Sequence, residues 1–305
     1  MIKNIGILSP GDMGSAVGQA LRLNGFNVFA NLKNRSDRTR LLSQSAGISS
    51  VDSLDDLTKI CDVILSILVP SEALSVAEKV ADSINSNCDL IYVDCNAIAP
   101  STKKDISKII ENAGCKFVDS GIVGTPPNTA GNKPKFYVSG RYAENLLQLD
   151  DKGIEVKFIG NEIGQAAALK MCYASLTKGK MALYSSALIT ANRLNIYEFL
   201  ISELADSQKS MLQEMNGVNA LSTKAFRWIG EMNEISDTFH SQGITKNIHL
   251  GASEMFDLIA DSPLGSERPE TYDVNRTLDE TINILSTVLN KKNRKHNKEP
   301  RIVKN

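Results

Sequence analysis

The stretch Ile2-Lys3-Asn4-Ile5-Gly6-Ile7-Leu8-Ser9-Pro10-Gly11-Asp12-Met13-Gly14-Ser15-Ala16-Val17-Gly18-Gln19-Ala20-Leu21 decides the fold. An apolar run ends at Leu8, a loop of small residues follows, and Ala16, Val17, Ala20 and Leu21 then recur at the spacing of a helix face. Strand, glycine loop and helix in that order form a modified G-x-G-x-x-G, a dinucleotide fingerprint. Gly11, the middle glycine, lets backbone approach a pyrophosphate. Gly14 lets the helix pack closely, and the helix N-terminus offers N–H groups and the positive end of its dipole. Ser9 stands at the first glycine position, so the sharp turn forms without glycine's freedom, beside a Pro10 that fixes its own φ. Ser9, Pro10, Gly11, Asp12, Met13 and Gly14 are therefore candidate cofactor-binding residues.

Outward from this stretch, short apolar runs alternate with helical patterns as far as residue 160. Residues 2–8, 27–31, 63–68, 90–94 and 116–120 read as core strands, with 135–139 and 156–159 as later, antiparallel additions. A helix is expected over 71–86. This alternation predicts a Rossmann-type, doubly wound, mostly parallel α/β sheet. Beyond 160 the strand-like runs stop, and helices are expected over 163–192, 197–214, 220–239, 247–260 and 277–289. Gly179 weakens the middle of the first of these by about 1 kcal/mol relative to alanine. The expected organisation is a dinucleotide-binding domain over 1–160, an all-helical domain over 161–290, and a disordered basic tail over 291–305.

Composition narrows the partners. The 305 residues exceed one ordinary core, and 42% hydrophobic with 23% charged residues is globular composition. A net charge of −1 gives no overall field that would draw the chain to nucleic acid or anionic lipid, so a small-molecule ligand is expected. The five cysteines form no C-x-x-C pair, which argues against a zinc site or disulfide framework and for reduced thiols in the cytoplasm. No secretion signal is read at the start, and no run reaches the ~20 apolar residues that span a bilayer.

Cofactor choice in such a fold is set at the end of the second strand, where an acidic residue would bind the 2′-hydroxyl of NAD. Asn31 stands there instead, followed by Lys33, Arg35 and Ser36, which suit a 2′-phosphate. NADP is the expected cofactor and NAD the alternative. The competing reading makes Lys33, Arg35, Arg38 and Arg40 the solvated start of a helix.

The fingerprint, Asn31, the strand-end pair Val69-Pro70 and a lysine in the helix entering the helical region together resemble the β-hydroxyacid dehydrogenase superfamily, the 3-hydroxyisobutyrate and 6-phosphogluconate dehydrogenases. The resemblance runs to about residue 289. It is nearest to a branch with a Ser-Pro-Gly-Asp-Met-Gly loop and an Arg-Trp-x-x-Glu-Met stretch, here Arg227, Trp228, Glu231 and Met232. It implies hydride transfer between nicotinamide and a small hydroxy acid or its keto form, a lysine as general acid/base, Val69 and Pro70 beside the cofactor, and a homodimer built through the helical domain.

Lys170 matches that lysine, in Gly164-Gln165-Ala166-Ala167-Ala168-Leu169-Lys170. On a helix, Ile163, Ala167, Lys170, Ala174 and Thr177 share one face, so short side chains surround the amine, and burial there would lower its pKa. The resemblance also implies that Asn96 holds nicotinamide or substrate, and that 119–124 is the substrate loop, with Gly121, Ile122, Val123 and Gly124 lining it. Val123 replaces the family's serine and Ala174 its asparagine. Both changes remove hydrogen-bond partners, so neither hydroxyisobutyrate nor phosphogluconate is the expected substrate. Tyr173, Ser120 and Ser175 are the substitute polar contacts on offer, and each reads equally as a packing residue or a helix-surface hydroxyl. An imine or other carbonyl-type reductase, and a non-catalytic NADP-binding protein, are the alternative readings. His240 and His249 read as structural, and no metal site is expected.

Overall fold

The computed structural model of the chain describes residues 1–84, 89–127 and 131–296, with side chains described to residue 289. It divides into two compact units, Met1–Tyr173 and Ala174–Asn305.

The first unit holds one eight-stranded sheet. In chain order its elements are β1 (Asn4–Leu8), α1 (Asp12–Leu23), β2 (Asn27–Asn31), α2 (Asp37–Ser45), β3 (Ser49–Val51), α3 (Leu54–Ile60), β4 (Val63–Ser66), α4 (Ala73–Asp82), β5 (Ile91–Asp94), α5 (Pro100–Asn112), β6 (Lys116–Val123), β7 (Lys135–Ser139) and β8 (Glu155–Gly160). The strand order is β3-β2-β1-β4-β5-β6-β7-β8. All pairs up to β6 are parallel, β7 is antiparallel to β6, and β8 is parallel to β7. Both later strands therefore run against the core set, as expected from their sequence.

Both faces of the sheet are apolar, as a parallel sheet with helices on each side requires. Ile5, Ile7, Val63, Leu65, Val93 and Val118 bury one face together with Val17 and Leu21 of α1. Leu8, Ile64, Tyr92 and Phe117 bury the other with Ala77 and Val80 of α4 and Ile106 and Ile110 of α5. The chain winds outward from β1 through β2 to β3 and then returns to place β4 on the other side of β1. That reversal opens a crevice at the C-terminal ends of β1 and β4, the place where doubly wound sheets receive ligands.

The helix α6 (Gln165–Arg193) starts in the first unit and continues into the second, uninterrupted at Gly179. The second unit continues with α7 (Tyr197–Ser207), α8 (Lys209–Met215), α9 (Ser222–His240), α10 (Asn247–Ala260) and α11 (Leu278–His296). The single helix expected over 197–214 is two, broken at Gln208, whose φ of −140° and ψ of 49° are not helical. The last helix runs seven residues past its expected end at 289. Of the expected tail, 297–305 lie outside the described residues. No described helix is long and apolar enough to cross a membrane. Cys61, Cys95 and Cys172 are free thiols, Cys115 is disulfide-bonded, and Cys88 lies outside the described residues. The expectation of reduced thiols throughout therefore fails at Cys115.

Candidate active site

Register gathers the site. Leu8 lies opposite Ser66, Ser66 opposite Asp94, and Asp94 opposite Asp119, so one row crosses the C-terminal edge of four neighbouring parallel strands. The segments leaving that edge hold Ser9 to Gly14, Val69 and Pro70, and Asn96, whereas Gly121 to Val123, expected in a loop, continue β6 and pair with Tyr137, Phe136 and Lys135 of β7 before Gly124 ends the strand.

Ser9 has φ of +60°, so the left-handed residue that begins the turn is a serine. Gly11 is the N-cap of α1 at φ −77° and ψ −156°, and no side chain caps that helix. A Cβ on Gly11 would meet nothing nearer than the Ser9 carbonyl oxygen at 4.0 Å, which leaves open space over the helix start. On Gly14 it would lie 3.0 Å from the same oxygen and 3.2 Å from Ile7. The two glycines thus do separate things: Gly11 leaves room for an anion above orphan N–H groups, and Gly14 closes the helix onto the strand. Asp12 of this loop is held by Arg38 of α2 at 2.5 Å, a tie the sequence reading left out.

Around the end of β2, Asn31 donates its side-chain N–H to the Val51 carbonyl at 3.1 Å, so it pins β2 to β3. Ser36 caps α2 by accepting from the Thr39 N–H, and Arg40 donates to the Arg35 carbonyl. Arg35 is half-buried and Lys33 exposed. Lys33 and Arg40 line a cavity with Leu32, Gln44, Ser50 and Asp52. No ion pair to Lys33, Arg35 or Arg40 is formed among the described residues.

Asn96 is placed differently from its expected role. It is buried, its side-chain nitrogen donates to Ser66 Oγ and Asp94 Oδ2, and its oxygen accepts from the Leu68 N–H. Its polar atoms knit the loops after β4 and β5 to each other. Val69 is exposed, and Pro70 opens a single 3-10 turn that leads into α4.

Lys170 lies in the second turn of α6, half-buried, and its Nζ donates to the carbonyl oxygen of Ile122 on β6 at 2.6 Å. Burial lowers its pKa to about 8. Gly121 makes the approach possible: a Cβ there would lie 2.7 Å from the Ala166 carbonyl oxygen and 2.9 Å from Lys170 Cβ. Val123 is half-buried, Gly124 adopts φ +115°, and Tyr173 is exposed. Of the substitute hydroxyls, Ser120 is fully buried, and Ser175 bonds His249 Nε2 at 2.8 Å within the helical unit.

Beneath these loops lies a network the sequence reading missed. Lys103 of α5, with no exposed surface, donates to Asp94 Oδ1 at 2.7 Å and to the Ser120 carbonyl at 3.0 Å, and pairs with Asp119 Oδ1 at 3.3 Å. Asp119 Oδ2 accepts the N–H groups of Gly164 and Ala167 at 2.9 and 3.1 Å, and the Ser139 hydroxyl. Two acidic residues at matching register on adjacent buried strands, Asp94 and Asp119, are the signal that could have prompted a search for their counter-charge. Among the described residues no cluster of three His, Cys, Asp or Glu could hold a metal.

Comparison with known proteins follows the same division. Residues 4–145 match the NAD binding domain of 6-phosphogluconate dehydrogenase, and residues 191–259 match a domain of unknown function, DUF1932. An uncharacterized 28.5 kDa protein of Methanothermus fervidus is 30% identical over 204 residues, 67% of this chain and 77% of that one. The mitochondrial 3-hydroxyisobutyrate dehydrogenase of Drosophila melanogaster is 28% identical over 213 residues, 67% of this chain and 63% of the enzyme. Among solved structures, a conserved protein of unknown function with structural similarity to 3-hydroxyacid dehydrogenases aligns with a TM-score of 0.63 at 28% identity, covering 85% of this chain and 97% of its own.

Proposed function

Because this chain belongs to the β-hydroxyacid dehydrogenase superfamily, NAD(P)-dependent oxidoreductases acting on CH–OH groups, we propose that it transfers hydride between NADP and a small hydroxy acid or its keto form, with Lys170 as general acid/base. One observation carries this reading. A lysine whose pKa burial lowers to about 8 donates to the Ile122 carbonyl of β6, in the same compact unit as the open glycine loop after β1.

The residues present fit a dinucleotide. The loop from Ser9 to Gly14 would hold its pyrophosphate, since Gly11 leaves the α1 N-terminus uncovered and no side chain fills the place. Arg35 and Ser36, with Lys33 and Arg40 close by, would take the 2′-phosphate, and Asn31 offers no carboxylate to repel it. Val69 and Pro70 would border the nicotinamide side of the crevice, with Asn96 ordering the loop rather than binding. When bound, the nicotinamide supplies or accepts the hydride.

The protein's share is to place and move a proton at Lys170 Nζ. In the reductive direction the ammonium donates to the nascent alkoxide, and in the oxidative direction the neutral amine removes the hydroxyl proton. Gly121, Ile122, Val123, Gly124 and Tyr173 would surround the substrate. Val123 and Ala174 offer no polar atom where the family has a serine and an asparagine, which favours a carbonyl or imine substrate with few hydrogen-bonding groups as the second reading. We also assign a homodimer through the helical unit, where Leu176, Leu183 and Ile248 expose 73, 65 and 65% of their surface around one groove.

The experiment is NADPH and NADH oxidation by the full chain across glyoxylate, larger 2- and 3-oxo acids, semialdehydes and cyclic imines, with cofactor binding followed by nicotinamide fluorescence. Turnover with NADPH of at least one oxo acid supports the proposal. Tight NADPH binding with no turnover across the panel leaves a binding protein in its place.

A further inference from the structure

Strand β6 touches the start of α6 at three levels. Asp119 accepts the Gly164 and Ala167 N–H groups, Gly121 admits Ala166 and Lys170 to close contact, and the Ile122 carbonyl accepts the Lys170 amine. Ser139 of β7 adds a fourth tie by accepting the Ala166 N–H at 3.0 Å. The Ala166 and Ala167 N–H groups of the first turn of α6, and that of Gly164 before it, are thus satisfied by side chains from two strands, while the Gln165 N–H bonds the Glu162 carbonyl.

The Asp119 carboxylate in this arrangement has no exposed surface, where a charge is costly unless it is paired and hydrogen-bonded. Lys103 supplies the pairing, together with the positive end of the helix. Asp94 anchors Lys103 from the other side. Nothing in this cluster reaches solvent: Lys103, Asp94, Asp119 and Ser139 all have no exposed surface. The four side chains have no place in the hydride or proton chemistry, and a wholly buried ion pair is weak evidence for stability, because well-packed apolar residues of similar volume often do as well.

We propose that the buried Lys103–Asp119 pair is a positioning element: it seats the first turn of α6 and thereby holds the Lys170 amine against the Ile122 carbonyl. This rests on the assignment of Lys170 to proton transfer. Lys103, Asp119 and Ser139 act through Lys170 and touch neither cofactor nor substrate.

The test reads Lys170 directly, with no substrate. The intact chain is pulse-labelled with acetic anhydride across pH 6 to 11, and the labelling of Lys170 is followed by peptide mass spectrometry. In the wild type the midpoint should lie near 8, where burial alone sets it and no charged neighbour contributes. In Asp119→Asn and in Ser139→Ala it should rise by half a pH unit or more, toward an ordinary lysine, as the amine gains solvent. A direct charge effect would move it the other way in Asp119→Asn, because losing a carboxylate disfavours an ammonium. A midpoint unchanged or lowered in either folded variant overturns the proposal. Ser139→Ala removes one neutral hydroxyl and carries the test if Asp119→Asn does not fold. Lys103→Met with Asp94→Asn, which removes one of the two carboxylates left uncompensated, should show the same rise. Failure of the Lys170 assignment looks different: Lys170→Met would then keep full turnover whatever the labelling midpoint.

Discussion

The amine of Lys170 and the carbonyl oxygen of Ile122 are 2.6 Å apart, and the carboxylates that face Lys103 have no counterpart beside this amine. Lys103 is driven down by burial, but Asp94 and Asp119 more than offset that, and its pKa ends raised. Lys170 has no carboxylate to offset burial, and its pKa falls to about 8. One buried lysine is therefore permanently charged and structural, while the other can exchange its proton near physiological pH.

A pH dependence with a definite sign follows. Reduction needs the ammonium, so its kcat/KM should be flat below about pH 8 and fall above it, while oxidation needs the free amine and should rise through the same midpoint. Stability should also respond. Between about pH 8 and the ordinary lysine value the unfolded chain binds the extra proton, so unfolding free energy rises with pH across that window. Urea titrations at pH 8 and 10 check this, and Lys170→Met should remove the Lys170 share of the rise.

Gly121→Ala is expected to be costly, because the new methyl would meet the Ala166 carbonyl oxygen at 2.7 Å and Lys170 Cβ at 2.9 Å, both on the rigid start of a helix. Overpacking of this kind destabilises by about 1–3 kcal/mol. Displacement of the Lys170 stem should lower kcat by ten-fold or more while the NADPH Kd stays within about two-fold. Chemical denaturation and steady-state kinetics read the two effects separately.

Ser9 carries the turn's positive φ of +60°. Glycine there would relieve about 1 kcal/mol of strain and lose a comparable amount through the freer unfolded chain. Ser9→Gly should accordingly leave the Tm nearly unchanged and keep NADPH binding. Ser9→Val, β-branched at a left-handed position, should destabilise by about 2 kcal/mol. Calorimetry of the pair checks the balance.

Cofactor preference should reside around Arg35. Arg35→Ala is expected to weaken NADPH about ten-fold, roughly 1.4 kcal/mol, and to leave NADH binding unaltered, because only the 2′-phosphate is lost from the comparison. Fluorescence titration with both nucleotides gives the ratio, and an equal loss for both would assign Arg35 to the fold instead.

What was legible in the sequence is what periodicity and local motifs encode. The core strands, the glycine loop and the lysine amid alanines all announce themselves within a few residues. The edge strand β3 did not, since its Ser49, Ser50 and Val51 present one apolar residue and no alternation. The break at Gln208 lacks a glycine or proline to mark it. The resemblance that makes Asn96 a ligand contact says nothing of its neighbours, and only the register of β4 and β5 brings Ser66, Leu68 and Asp94 to its side chain. Lys103 was invisible for the same reason: it looks like one more lysine of Lys103-Lys104 on an amphipathic helix until Asp94 and Asp119 are brought to its side.

The most direct measurement is the single-turnover rate of NADPH oxidation with the best acceptor of the panel, taken for the wild type and for Lys170→Met, alongside the NADPH Kd of each. The expected result is a fall in rate of a thousand-fold or so with the Kd held within two-fold. A methionine variant that oxidises NADPH as fast as the wild type would contradict the assignment of the proton to Lys170.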